Sequence, residues 1–105
     1  MSGPALPALT SVLERARSVG FLGPGPVEDH VEHAGLFRQA LDGLGDGGFV
    51  GRAVDIGAGG GVPGLVLLAT VPQLELVLLD AAQKRCAFLV WAVAELEVSD
   101  RADVW

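Results

Sequence analysis

The chain has 105 residues, half of them hydrophobic, and a formal net charge of −6. This length fits one small domain with a core of its own, which excludes a disordered acidic tail. Seven Lys and Arg against 13 Asp and Glu leave no basic face that could hold nucleic acid unaided. We find no signal peptide and no apolar run long enough to span a bilayer, so we expect no membrane association. The single cysteine, Cys86, cannot form an internal disulfide, and we expect a cytoplasmic protein.

Two amphipathic helices are predicted in an N-terminal helical segment, residues 1–48. The first covers Ala5 to Val19, and the second runs from Val27 to Leu44. A turn rich in glycine and proline separates them, and the glycine-rich stretch 45–48 ends the second. The apolar stripe of the first helix is Leu9, Val12, Leu13 and Ala16. That of the second is Val27, Val31, Ala34, Phe37 and Leu41.

Strands and helices alternate in the remaining segment, residues 49–105. We predict strands at Ala53–Ile56 and Glu75–Leu79, and a third that begins at Ala102 and includes Trp105. The helices between them run from Pro63 to Ala69 and from Ala81 to Glu97. The last helix is expected to bury Cys86, Leu89, Val90, Val93 and Leu96. The order α-α-β-α-β-α-β predicts an α/β fold with right-handed crossovers and a parallel sheet.

Five glycines follow the first strand in VDIGAGGGVPG, residues 54–64. The window Gly59–Gly64 matches G-x-G-x-x-G, a pattern typical of dinucleotide binding. The glycine next to the strand, however, is Gly57, and Asp55 precedes it. That carboxylate would repel a pyrophosphate and favour an ammonium or sulfonium group. A P-loop is excluded, because no Gly-Lys-Ser/Thr follows. A turn without any ligand and a dinucleotide-binding module remain the alternatives.

A second carboxylate, Asp80, ends the second strand. Such a carboxylate can accept hydrogen bonds from both ribose hydroxyls of a nucleoside. It can also cap the helix that begins at Ala81. The two roles are compatible.

These residues carry a family resemblance. VDIGAGGGVPGLVLLA resembles motif I of class I S-adenosylmethionine-dependent methyltransferases. Its Gly-Val-Pro-Gly-Leu continuation, together with LLDAAQKRCAFLVWAVAEL downstream, is similar to the RsmG family, also called glucose-inhibited division protein B. That family methylates N7 of a guanine in small-subunit (16S) ribosomal RNA. The resemblance implies a Rossmann-like fold with strands ordered 3-2-1, of which residues 49–105 form the first half, truncated after the third strand.

The resemblance also implies residue roles. Asp80 would hold the ribose of S-adenosyl-L-methionine, and the residues that would line its methionine part are Asp55, Gly57, Gly59, Gly61 and Val62. No metal is expected. Candidates for the substrate side are His30, or alternatively His33, unless these are ordinary polar helix residues. Lys84 and Arg85 could contact ribosomal RNA phosphate, or could form a solvated helix face.

The chain departs from the family pattern in three respects. Asp29 stands where the family usually has arginine, and Ala34 stands where a serine is usual. The chain also stops after the third strand, which leaves one edge of the first strand open for pairing with another chain. We therefore expect an RsmG-like methyltransferase that is incomplete. The alternatives are a class I methyltransferase for a small molecule, and an inactive fragment with only a cofactor-binding or interaction role.

Overall fold

The computed structural model describes residues 5–43 and 51–105. Its elements are α1 (Ala5–Ser18), α2 (Val27–Asp42), β1 (Gly51–Ile56), α3 (Gly64–Thr70), β2 (Leu74–Leu79), α4 (Gln83–Glu95) and β3 (Ala102–Val104). Their order confirms the predicted alternation. The predicted end of the second helix at Leu44, its glycine-rich stop at residues 45–48 and the boundary between residues 48 and 49 lie outside the described residues.

The three strands form one parallel sheet in the order β1-β2-β3, which confirms the α/β fold and the 3-2-1 order. In register, Asp55 lies beside Leu78, and Leu78 lies beside Val104. Side chains alternate between the two faces of a strand, so Asp55 is on the same face as buried Leu78. Val54 and Ile56 are on the other face, where Ile56 is 80% exposed. In the part of the chain described, β1 pairs with β2 alone, and pairing of its outer edge with another chain stays a prediction.

The helix α3 is buried along almost its whole length, from Gly64 to Ala69. It contacts β2 as well as α1 and α2, and therefore lies between the sheet and the two N-terminal helices. Side chains from all these layers form one hydrophobic cluster, which includes Leu13, Leu65 and Leu78. The N-terminal helices therefore share their core with the sheet, and they hold α3 in the position that shapes the loop before it.

Two apolar residues predicted to face the core are exposed instead. Phe37 on α2 is 44% exposed and Val90 on α4 is 56% exposed. The buried stripe of α4 is formed by Phe88, Leu89, Ala92 and Val93. Since each residue advances about 100° around a helix, Val90 falls outside that stripe. Along α2, burial is complete only at Val27 and Ala34, so this helix lies on the protein surface with a narrower contact than its apolar stripe predicted.

The side chain of Arg101 links the C-terminal end of α3 to the sheet through hydrogen bonds. Its Nη1 donates to the carbonyls of Val71 and Leu74, each at 3.0 Å, and its Nη2 donates to Leu68 O at 2.8 Å. The last carbonyls of a helix lack partners within the helix, and a cation there is favourable. Arg101 lies in the turn before β3, so one guanidinium joins α3, β2 and that turn. The sequence patterns did not predict this arrangement.

No helix within residues 5–43 or 51–105 has the length and apolar character needed to cross a bilayer.

Candidate functional site

The segment between β1 and α3, residues 57–63, forms a loop at the carboxyl end of the sheet and is called the glycine loop below. The backbone N–H groups of Gly57 and Ala58 both donate to the Leu79 carbonyl, at 2.7 and 2.9 Å. Leu79 is the last residue of β2. The glycine loop is therefore tied to the point where the chain leaves the second strand for Asp80. This crevice beyond the strand ends is where open α/β sheets bind ligands.

Two glycines leave one side of this loop open. Gly57 and Gly59 have φ values of +72° and +51°, in the left-handed region that favours glycine. A Cβ added to Gly57 would meet no atom within 4 Å. A Cβ on Gly59 would lie 3.6 Å from the Gly57 carbonyl oxygen and 4.0 Å from Cδ of Arg85. A ligand can therefore approach the backbone closely at these two positions.

The other glycines of the motif are in contact with the protein. A Cβ on Gly60 would overlap the backbone carbonyl of Phe21, and one on Gly61 would overlap the side chain of Leu65. A Cβ on Gly64 would meet the Asp55 carboxylate and Leu78. The motif thus serves two purposes, because some of its glycines permit close packing while others face the open side. Gly61, expected to line the cofactor, is buried and has Leu65 where a side chain would project.

Asp80 is the most fully bonded side chain of the site. Its Oδ2 accepts the N–H of Gly59 at 2.9 Å, and its Oδ1 accepts both the N–H of Ala82 and Nε–H of Arg85, each at 2.9 Å. The side chain is 4% exposed. The Ala82 N–H, helped by Gly59 and Arg85, lowers the pKa of Asp80, so the carboxylate is ionised at neutral pH. The bond to Ala82 also explains why α4 begins at Gln83, and the predicted start at Ala81 was wrong.

Asp55 lies at the end of β1, on the face toward α3. Its Oδ2 accepts the N–H of Gly64, the first residue of α3, at 3.0 Å. Burial raises the pKa of Asp55, and the hydrogen bond from Gly64 offsets part of that rise. Asp55 and Asp80 therefore hold the two ends of the same crevice. Asp55 is bonded to α3, and Asp80 is bonded to the glycine loop.

The remaining predicted residues are distributed differently. Val62 is half-buried against the core. His30 Nε2 donates to the carbonyl of Gly23 at 3.1 Å, in the turn before α2, and exposed His33 packs edge-on against Phe37. Within the described ranges, neither histidine is hydrogen-bonded to the glycine loop or to Asp80, and no three His, Cys, Asp or Glu side chains are placed to hold a metal. Lys84 is exposed on α4.

The structure thus brings Asp55, the glycine loop, Asp80 and Arg85 together at the carboxyl end of the sheet. The sequence patterns do not predict the contact between Arg85 and Asp80, since they indicate only a phosphate contact or a solvated helix face for Arg85. Its spacing was an available signal. A side chain in the first turn of a helix that follows a strand can reach back to a carboxylate at the strand end, five residues earlier.

The sequence profile of the family described as rRNA small subunit methyltransferase G (GidB) matches residues 41–103, more than half of the chain. The chain belongs to this family. The match covers β1, the glycine loop, Asp80 and α4, so the site described above lies inside the part of the chain that matches the family profile.

Individual relatives agree with this assignment. A ribosomal RNA small subunit methyltransferase G from Acidothermus cellulolyticus is 45% identical over 95 residues, which cover 87% of this chain and 38% of that protein. One from Carboxydothermus hydrogenoformans is 52% identical over 49 residues, 47% of this chain and 21% of the relative. One from Cupriavidus pinatubonensis is 42% identical over 55 residues, 52% and 23% of the respective chains. The aligned part is therefore well under half the length of the curated GidB relatives.

Proposed function

We propose that this chain binds S-adenosyl-L-methionine at the glycine loop and Asp80, as part of a methyltransferase that acts on small-subunit ribosomal RNA. One observation carries the proposal. The ionised Asp80 carboxylate at the end of β2 is hydrogen-bonded to the open side of the glycine loop after β1, in a chain that belongs to the methyltransferase G family. This arrangement offers a nucleoside both a backbone cradle and a strong acceptor.

The residues present fit that cofactor. The backbone at Gly57 is open to close approach, since a Cβ there would meet no atom within 4 Å. The oxygens of Asp80 are placed beside Gly59 and are suited to accept ribose hydroxyls. Asp55 and Asp80 are both carboxylates, and a cationic sulfonium or ammonium group is attracted to such a site, whereas a dinucleotide pyrophosphate is repelled.

The chemistry asks little of this chain beyond positioning. When bound, the cofactor would supply an electrophilic methyl group on its sulfonium. Guanine N7 carries a free lone pair, so its methylation requires no prior removal of a proton. Asp80 and the backbone of Gly57 and Gly59 would fix the orientation of the nucleoside and methionine parts, and alignment of this kind accounts for much of the rate enhancement in a group transfer.

The proposed partner is the small ribosomal subunit, which would place the reaction in the cytoplasm. The exposed Lys84 is the proposed contact for RNA phosphate, and His30 or His33 the proposed contact on the substrate side. Because the chain has a net charge of −6, most of the attraction to RNA must come from groups other than these three side chains. The same charge favours a second candidate function, a class I methyltransferase that acts on a small molecule.

Isothermal titration calorimetry tests the proposal. We expect S-adenosyl-L-methionine to bind the chain and NAD not to bind. Asp80→Asn should weaken binding by about tenfold or more, because charge-assisted hydrogen bonds to the ribose are lost. Asp103→Asn is the matched control, since it makes the same chemical change at an exposed carboxylate on β3 and should leave affinity unchanged.

Two results would contradict the proposal in different ways. Heat with NAD and none with S-adenosyl-L-methionine would indicate a dinucleotide module, and no heat with either would indicate a chain without a cofactor role. Methyl transfer by the protein to 30S particles, measured with a radiolabelled methyl donor, separates the RNA substrate from the small-molecule alternative.

A further inference from the structure

We propose that Arg85 occupies part of the ribose site in the ligand-free chain and is displaced when the ribose of the cofactor binds. This inference rests on the proposed function, because it concerns the same Asp80 carboxylate. It makes Arg85 a residue that sets cofactor affinity by competition, rather than a direct ligand of the cofactor.

The first argument is the number of hydrogen bonds that Asp80 can accept. A carboxylate offers about four acceptor positions, two on each oxygen. Gly59 N–H takes one on Oδ2, Ala82 N–H takes one on Oδ1, and Arg85 Nε–H takes a second on Oδ1. Without Arg85, one position is free on each oxygen, which is what the two hydroxyls of a ribose need. With Arg85 in place, only one position remains.

The second argument is that Arg85 is the donor best able to leave. The N–H groups of Gly59 and Ala82 belong to the backbone, in the glycine loop and at the start of α4, so they cannot withdraw without rebuilding those segments. The side chain of Arg85 is 42% exposed, against 4% for Asp80. Its hydrogen bond to Asp80 is the one that its guanidinium makes within the described residues, so rotation of the side chain into solvent breaks a single contact.

The third argument is the path of the side chain. Cδ of Arg85 lies 4.0 Å from the point where a Cβ of Gly59 would be. The aliphatic part of Arg85 therefore runs along the open side of the glycine loop, in the space where a ligand held by Gly59 and Asp80 would come to rest. The side chain and the ligand compete both for the acceptor position and for the volume beside it.

Calorimetry with S-adenosylhomocysteine as the probe tests the competition. Arg85→Gln should bind it more tightly than the unaltered chain, by up to about fivefold, as expected when a partly exposed ion pair no longer has to be broken. Arg52→Gln is the matched control, because it makes the same substitution in another arginine–carboxylate ion pair, with Glu75, at the opposite end of the strands, and it should leave affinity unchanged. A 2′,3′-dideoxy analogue of the probe makes no demand on the acceptor position, so the gain from Arg85→Gln should be smaller with it than with S-adenosylhomocysteine.

The outcomes separate this inference from the proposed function. Equal or weaker binding by Arg85→Gln, with binding by the unaltered chain intact, would overturn the competition alone. No binding by the unaltered chain, Arg52→Gln or Arg85→Gln would overturn both. A second measurement uses the unaltered chain, so it holds even if Arg85→Gln fails to fold. In ¹⁵N NMR spectra, the Arg85 Nε–H should be protected from exchange in the free chain and lose that protection on addition of S-adenosylhomocysteine. Retained protection in the bound state would overturn the inference.

Discussion

Replacement of Arg101 with methionine should destabilise the fold by about 3 kcal/mol. The guanidinium donates three hydrogen bonds of 2.8 to 3.0 Å to backbone carbonyls at the end of α3 and the start of β2. A hydrogen bond within a protein contributes about 1 kcal/mol net, and more when the donor is charged. Arg101 is half-buried, so water can replace part of what is lost, and we use the lower figure for each bond. The sum is a large share of the roughly 5–15 kcal/mol that stabilises a domain.

Urea unfolding followed by circular dichroism measures this change. Arg52→Met is the matched control, because the ion pair of Arg52 with Glu75 has side chains that are 74% and 56% exposed. An exposed pair of this kind contributes between zero and about 1 kcal/mol. If Arg101→Met and Arg52→Met lowered the free energy of unfolding equally, the assignment of Arg101 as the fastening between α3 and the sheet would be wrong.

Three further predictions concern the site. Gly57→Ala should cost about 1–2 kcal/mol of stability, because alanine is strained at a φ of +72°. It should also abolish S-adenosyl-L-methionine binding in calorimetry, because its Cβ would project into the open side of the glycine loop that the ligand is proposed to approach. Asp55→Asn should raise the free energy of unfolding at pH 7, because the pKa of Asp55 is raised in the folded chain and its ionised carboxylate therefore opposes folding above that pKa. A loss of stability in Asp55→Asn would contradict this expectation. The same substitution should weaken cofactor binding. The lowered pKa of Asp80 should make the unaltered chain lose stability as the pH falls from about 5 through that pKa, and Asp80→Asn should lack this part of the urea midpoint's pH dependence.

The architecture could be predicted because alternating strands and helices allow few topologies. A parallel sheet follows from that order, and the structure confirms it. The depth of burial could not be predicted in the same way. Phe37 and Val90 belong to apolar stripes in the sequence, but which part of a stripe is covered depends on how wide a contact the neighbouring helix makes.

The candidate site could likewise be predicted only in part. Asp55 and Asp80 could be placed at neighbouring strand ends, because carboxyl ends of parallel strands meet at one edge of a sheet. The roles of the individual glycines could not be assigned, since Gly60 is constrained by Phe21, a residue far away in the sequence. The pairing of Arg85 with Asp80 also depends on where α4 starts, and that start is itself set by the hydrogen bond from Ala82.

The single carbonyl of Leu79 that receives both Gly57 and Ala58 has a consequence for the kinetics of binding. It joins the glycine loop to the strand that ends at Asp80, so the backbone on both sides of the crevice is already ordered before any ligand arrives. A binding site that is ordered in advance loses little conformational entropy on association. Only side chains then have to adapt to the ligand, and exposed side chains rotate within nanoseconds. Association with a nucleoside should therefore be a single fast step without a slow phase of loop closure.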